Sequence, residues 1–329
     1  MSNDLLQVDY DSIIDRVLTG ELDSQLAAYD RQRSLVKKIG MALIVPGLIL
    51  LLGSHILKFR EIGAVCGMLL MIAGGVIMAW FYKRQRDFYR RQVMVQLIRA
   101  MDMALTYFPD KGLSRSRFQK FKLFGSFDRY RSEDLLSGTV GKTSFEAAEV
   151  HIERRRKTKK STSYVTIFRG VVFIADFNKK FNCRTAILPD VAERCFGKLV
   201  GNFLQNLNFS KEGKLVKLEN VEFEKHFAVY SDDQHEARYL LTPGFMERLL
   251  AVQAAEKSPI RVLFLDNNLV MTFTRSGGWL EPPFTGSISS REMLERSLRE
   301  VVSVLDIIQK LDLNTRIWSK QPSAAAGDQ

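Results

Sequence analysis

Residues 39–57, IGMALIVPGLILLLGSHIL, and residues 62–82, IGAVCGMLLMIAGGVIMAWFY, contain no charged side chain. A helix of about nineteen residues rising 1.5 Å per residue reaches roughly 28 Å, one bilayer hydrocarbon core. Buried helices of soluble proteins are seldom this long and this evenly apolar, so a pair of transmembrane helices is expected. Lys58, Phe59, Arg60 and Glu61 alone separate the two runs, which makes the helices antiparallel neighbours. Trp80, Phe81 and Tyr82 close the second run, where amphipathic rings favour the headgroup level. The late start of the first run and the presence of a second argue against a cleaved signal peptide.

Charge gives this hairpin a direction. Arg31, Arg33, Lys37 and Lys38 precede it, and Lys83, Arg84, Arg86, Arg90 and Arg91 follow it, while the connecting turn holds only Lys58 and Arg60. Positive residues stay on the cytoplasmic side, so both termini are expected there, in an inner (cytoplasmic) membrane. The net charge is +11, and thirteen Lys and Arg against four Asp and Glu fall between Lys83 and Arg131. Such a segment beside a bilayer is drawn to anionic headgroups by about 1 kcal/mol per charge. Nucleic acid would attract it as well, but the membrane is a sufficient explanation. The first thirty residues are acidic instead, with Asp4, Asp9, Asp11, Asp15, Glu21, Asp23 and Asp30 against Arg16.

Within the apolar runs, Gly63 and Gly67 form a GxxxG and Gly74–Gly75 follow. Small residues let helix backbones approach closely. The pattern serves either packing of the hairpin on itself or a homo-oligomer, and the neighbouring helix already at hand favours the first. Pro46 is tolerated in a membrane helix, and His55 sits near the outer end, within reach of water.

The expected organisation is an acidic amphipathic helix region at 1–38, the hairpin at 39–82, a basic juxtamembrane helix at 83–108, a cytosolic domain at 109–318 and a disordered tail at 319–329. In the first region Leu6, Ile13, Val17 and Leu26 make an apolar stripe, set to pack on the later domain or on the juxtamembrane helix. The cytosolic domain reads as α+β with a mainly antiparallel sheet and flanking helices. Strands are expected at 144–153, 164–176, 184–188, 222–231, 237–241, 261–265 and 269–273. Asp266-Asn267-Asn268 makes a tight hairpin turn. Thr242-Pro243 opens one helix, and Ser289 or Ser290 with Glu292 opens another, ending at Leu311.

Three blocks, FGSFDRYRSEDLLSG (124–138), IFRGVVFIADFNKKF (167–181) and KLENVEFEKHFAVYSDDQHEARYLLTPGFMERLL (217–250), resemble a bacterial family of membrane proteins catalogued as domain of unknown function 3137. The resemblance spans about residues 105–275. It implies a bacterial source and an anchored architecture, and it carries over no catalytic residue.

Signals of chemistry are sparse. Gly141-Lys142-Thr143 ends like a phosphate-binding loop, yet position 136, where such a loop needs glycine, is Leu. The densest polar cluster is Asp232-Asp233-Gln234-His235-Glu236, with His226 nearby. His226, Asp232, Asp233, His235 and Glu236 could serve a metal or acid–base site if they converge; an acidic turn is the plainer reading. Asp176, Asn178, Glu224 and Arg238 are the next polar positions, with Arg238 expected in a buried pair with a carboxylate. The run Arg154, Arg155, Arg156, Lys157, Lys159 and Lys160 reads as a hairpin tip, either solvated or touching lipid or an acidic partner. Together with Lys83, Arg84, Arg86, Arg90 and Arg91 it forms the candidate lipid- or partner-binding set. Cys66, Cys183 and Cys195 fit neither a disulfide framework nor a zinc signature. GxSxG, HExxH, GxGxxG and CxxC are absent. No cofactor and no metal ligand set is indicated. The expectation is a membrane-anchored scaffold or interaction protein whose partners are the lipid bilayer and other membrane or membrane-proximal proteins. The alternative is a membrane-associated hydrolase or lipid-modifying enzyme using residues 226–238.

Overall fold

The computed structural model describes residues 8–18, 21–54, 60–158, 161–177, 181–189, 214–256, 258–282 and 286–314. Leu6, His55, Lys58, Phe59, Lys159, Lys160, Asn178, Cys195 and the tail from Ser319 lie outside them. The chain divides into a helical unit, Val8–Asp102 with Leu280–Arg299, and a sheet unit, Met103–Trp279 with the residues from Glu300 on.

The helical unit begins with α1 (Tyr10–Val17), started by Asp9, whose side chain accepts the Ser12 N–H at 3.2 Å. Such a cap contributes about 1 kcal/mol. Ile13, Ile14 and Val17 are its buried face. The acidic region is not one helix. α1 ends at Val17, and α2 (Glu21–Gly53) runs without a break from the acidic residues into the apolar stretch. Gly20, between them in sequence, is a poor helix former. α3 (Arg60–Phe88) returns alongside α2 and passes through a π-helical turn, Tyr89–Met94, into α4 (Val95–Ala100). The basic helix therefore stops short of the expected residue 108, with Asp102 at a φ of 52° just past the end of α4.

α2 and α3 meet along glycines. A Cβ on Gly67 would lie 2.5 Å from the Gly47 carbonyl oxygen and 2.8 Å from the Leu51 nitrogen. One on Gly74 would lie 2.9 Å from the Gly40 carbonyl oxygen. Gly40 and Gly47 on one helix thus face Gly74 and Gly67 on the other, an antiparallel register. Gly63 joins the seam against Ser54 at 3.1 Å, so the GxxxG packs the pair on itself. The rest of each apolar surface faces outward, with Ile49 64% and Ile62 68% exposed. Both helices are long and apolar enough to cross a membrane, by length and composition.

At the polar end of this unit the early acids find partners. Asp30 accepts hydrogen bonds from the Ile288 and Ser289 amides at 3.0 and 3.1 Å, and from the Ser287 and Ser289 hydroxyls. Arg291 bonds Asp11 and Asp15 at 2.9 and 2.8 Å. α1 packs on α4, as the juxtamembrane alternative for the amphipathic region anticipated.

The sheet unit holds β1 (Leu105–Phe108), α5 (Arg115–Phe121), β2 (Arg129–Val140), β3 (Thr143–Lys157), β4 (Thr162–Asp176), β5 (Thr185–Pro189) and β6 (Lys214–Val216). Then come α6 (Val221–His226), β7 (Phe227–Ser231), α7 (Gln234–Leu240), α8 (Pro243–Ala255), β8 (Arg261–Leu265) and β9 (Asn268–Thr274). The last helix, α9 (Arg291–Lys310), belongs to this unit from Glu300 onward. Among the described residues, nine strands form one antiparallel sheet in the order β1-β2-β3-β4-β9-β8-β5-β7-β6. The fold is α+β, as expected.

Gly141, at φ 60°, makes the two-residue β2–β3 turn, so Gly141-Lys142-Thr143 is a hairpin. Asn314 and Leu313 tie its Lys142 amide and Thr143 hydroxyl at 3.1 and 3.0 Å. The β8–β9 turn carries Asp266 at φ 57°, in line with the sequence expectation. One sheet face packs aromatic residues: Phe118, Phe121 and Phe124 join Val150, Phe168, Val172 and Leu263.

The segments expected as strands at 222–231 and 237–241 differ. Residues 221–226 and 234–240 are helices α6 and α7, and only Phe227–Ser231 is a strand. Asn220 accepts the Phe223 N–H at 2.9 Å, and Asp233 accepts those of His235 and Glu236 at 2.7 and 3.2 Å. These caps nucleate short helices where alternation alone suggests extended chain. Phe223 and Phe227, four residues apart, bring their rings to 5.0 Å.

Gly67→Leu is expected to destabilise the helix pair by about 1–3 kcal/mol or more, read as a lower unfolding midpoint of the detergent-solubilised full-length protein. Gly75→Leu, with nothing within 4 Å, should leave the midpoint unchanged. Equal midpoints for both variants would show that the seam does not hold the helices.

Candidate functional site

The polar cluster around Asp232 is built by the turn from β7 into α7. Asp233 spends its carboxylate on the α7 cap, and the Ser231 hydroxyl donates to the Asp233 carbonyl at 2.9 Å. Glu236, on the first turn of α7, reaches back to the residues just before β5. It accepts the Asn182 and Cys183 amides at 3.3 and 3.0 Å and the Cys183 thiol at 2.8 Å. Burial, together with this carboxylate, pushes the Cys183 thiol up to about 11. The Thr185 and Ser231 hydroxyls, both buried, lie 2.8 Å apart between the paired strands.

The candidate residues are not drawn together. His226 ends α6, exposed, 3.4 Å from Glu222. It lines a 400 Å3 depression with Glu222 and Lys225, in which Asp232, Asp233, His235 and Glu236 take no part. Among the described residues, the histidines and carboxylates of 226–238 form no group of three ligand atoms within 4.8 Å. His235 is exposed at the start of α7. Glu224 accepts the Leu218 amide at 2.7 Å, and Asp176 ends β4 opposite Asn268. Arg238 is exposed and donates to Gln234 at 3.3 Å, in place of the expected buried carboxylate pair. It is Arg184 that is buried: its guanidinium donates to the Lys120 and Phe121 carbonyls at the end of α5, and burial lowers its pKa to about 10.

The basic run is strand. Arg154, Arg155, Arg156 and Lys157 continue β3 and pair with Val165, Tyr164, Ser163 and Thr162 of β4. The expected loop therefore shrinks to a few residues, because thirteen cross-strand pairs carry the ladder out to Lys157. β3 pairs with β2 only up to Glu153 and β4 with β9 only from Gly170, so beyond these points the two strands form a two-stranded ribbon, with Asp128 accepting the Arg155 amide at 2.6 Å. All four basic side chains are exposed, on alternating faces. Tyr164 and Val165 are exposed beside them, and the Arg129 guanidinium covers the Tyr164 ring at 3.3 Å. Of the juxtamembrane set, Lys83, Arg84 and Arg91 are exposed. Arg86 pairs with Glu281 at 3.0 Å, and Arg90 is buried.

A larger feature escapes the sequence. A cleft of 680 Å3 in the sheet unit is lined by Arg169, Arg261, Arg275 and His151, with no Asp or Glu among its lining residues. Phe124, Ile167 and Phe168 give it an apolar floor. Arg169 lies within β4, Arg261 opens β8 and Arg275 follows β9, so the first stands more than ninety residues before the other two. Arg169 interrupts an otherwise apolar strand, IFRGVVFIAD, and that is the one signal the sequence offered.

Residues 166–313 match the model of a family described as protein of unknown function (DUF3137). The match takes in the whole of the second and third quoted blocks, leaves out the first, and extends to the residues just past α9. No curated protein matches the chain. Among solved structures, the crystal structure of the mycobacterial trehalose monomycolate transport factor A, TtfA, is similar at 10% identity. That likeness covers 68% of this chain and 97% of that one with a TM-score of 0.33, too distant to bear on function. The stretch from Thr166 to Leu313 thus belongs to the family of unknown function DUF3137.

Proposed function

We propose that the chain is a membrane-anchored scaffold or interaction protein of a bacterial inner membrane, with both termini in the cytoplasm. The observation that carries this reading is the outward apolar surface of α2 and α3. Ile49, Leu52, Ile62, Val65 and Val76 are each more than half exposed on helices whose inner faces are already filled by each other. Water-soluble proteins do not leave so large an apolar surface uncovered. The exposed Lys83, Arg84 and Arg91 just beyond the second apolar run support the cytoplasmic orientation. An anchored domain meets membrane-proximal partners at a raised effective concentration. The projecting ribbon of Arg154, Arg155, Arg156 and Lys157 suits a partner with an acidic surface. Its charge steers encounter.

In this reading residues 231–236 fasten α7 to β5. Cys183 should then be inert. With its thiol near 11 against an ordinary value near 9, its thiolate fraction at pH 8 is about a hundredfold lower. Peptide-resolved iodoacetamide alkylation of the native protein is expected to show that lag, and labelling at the rate of a free cysteine would overturn it. A cysteine placed at Ser319 should resist a membrane-impermeant maleimide in intact cells and react after permeabilisation. Labelling in intact cells would reverse the orientation. Replacing Arg154, Arg155, Arg156 and Lys157 together by Gln should cost the full-length protein severalfold in salt-sensitive partner capture, measured by cross-linking in membranes followed by mild-detergent purification. An unchanged set of captured proteins at unchanged yield would remove the ribbon from the binding surface.

A further inference from the structure

The cleft beside β4 and β8 has the size of a ligand site, within the roughly 300–1,000 Å3 common to small-molecule pockets. Its charge is one-sided: three arginines and a histidine line it, and carboxylates do not. The acids that serve these arginines stand outside the lining. Glu149, whose other oxygen accepts the Trp279 amide at 2.6 Å, holds Arg169 at 3.3 Å. Glu256 holds both terminal nitrogens of Arg275, at 2.7 and 3.4 Å. Arg261 lies over the Phe124 ring at 4.6 Å and donates to the Leu123 carbonyl at 2.8 Å. Each guanidinium is therefore oriented before any ligand arrives. That is the condition under which a cationic cluster binds with little ordering loss.

A guanidinium presents a planar fork of donors that matches a phosphate or carboxylate edge. Three such side chains lining one cleft favour the phosphate, whose oxygens point in several directions at once. Phe124 and Phe168, with ring centroids 4.5 Å apart, and the walls of Pro189 and Pro259 supply an apolar surface next to the charge. His151, its Nε2 3.1 Å from the Thr166 hydroxyl, offers a further polar group at the rim. We infer that this cleft binds a phosphate ester, the anionic group among Arg169, Arg261 and Arg275 and its apolar or planar portion against Phe124. The same chemistry is found in the headgroup of an anionic lipid and in a soluble phosphorylated metabolite. It is distinct from partner capture by the basic ribbon, none of whose residues lines the cleft.

The test is calorimetric titration of the full-length protein in neutral detergent with short-chain phosphatidic acid, with glycerol 3-phosphate and with inorganic phosphate. Saturable binding of phosphatidic acid well above glycerol 3-phosphate supports the inference and makes lipid the source. Equal binding of the two esters supports it and makes a soluble ester the source. In either case Arg261→Gln should weaken binding about tenfold or more. Ser276→Glu, an added carboxylate at an exposed position of the lining, should weaken it by a similar factor without lowering the unfolding midpoint, and it carries the test should Arg261→Gln fail to fold. Absence of ester binding, inorganic phosphate bound as tightly as either ester, or ester binding indifferent to Ser276→Glu overturns the inference.

Discussion

The Gly47 and Gly67 backbones approach so closely that neither position has room for a methyl group, since the added carbon would lie 2.7 or 2.5 Å from the other residue's carbonyl oxygen. This contact sets the register of α2 against α3, and Gly40 against Gly74 repeats it seven residues along each helix. Seven-residue spacing returns a helix to nearly the same face, so the two contacts lie on one seam. With the glycines turned inward, the large side chains have nowhere to go but out. The exposed stripes of Ile49, Leu52, Val65 and Val76 follow directly from the seam. That outward surface is what the proposed anchoring rests on.

Away from the apolar pair, the acidic side chains act mostly as fasteners. Asp9 and Asp233 cap helices, Asp30 gathers two amides and two hydroxyls, and Glu236 joins the start of α7 to the residues just before β5. A carboxylate that accepts several backbone amides is held in one rotamer and offers little freedom for proton transfer. The density of acids at 232–236 in the sequence therefore reflects chain-turning: a strand must stop, a helix must start, and both leave amides to satisfy.

The basic residues divide by environment. Arg184 and Arg261 lie within the sheet unit, their side chains on carbonyl oxygens, and burial lowers the pKa of both to about 10. Arg86 and Arg291 are committed to carboxylates. Arg154, Arg155, Arg156 and Lys157 stand on a projecting ribbon in solvent. Arg154 also donates to the Ser126 carbonyl at 2.8 Å, and a net charge alone cannot separate these environments, because it counts every cation equally.

The two apolar helices, their antiparallel pairing, the α+β class, the β8–β9 turn and helices α8 and α9 were legible in the sequence. They depend on local composition: uninterrupted apolarity, a Thr-Pro or Ser start, an Asp-Asn turn. Residues 221–226 were misread because Phe223 and Phe227 stand at spacings that fit a strand as well as a helix, and the deciding Asn220 cap lies outside the apolar pattern. β1, β2 and α5 went unread, since short or polar-rich segments declare themselves only through their neighbours. The cleft belongs wholly to tertiary structure. Arg169, Arg261 and Arg275 share a wall because β4 pairs with β9 and β9 with β8, a pairing of strands almost a hundred residues apart that no local pattern encodes. The sequence by itself determined which stretches are apolar and where helices start; the sheet order decided which charges meet.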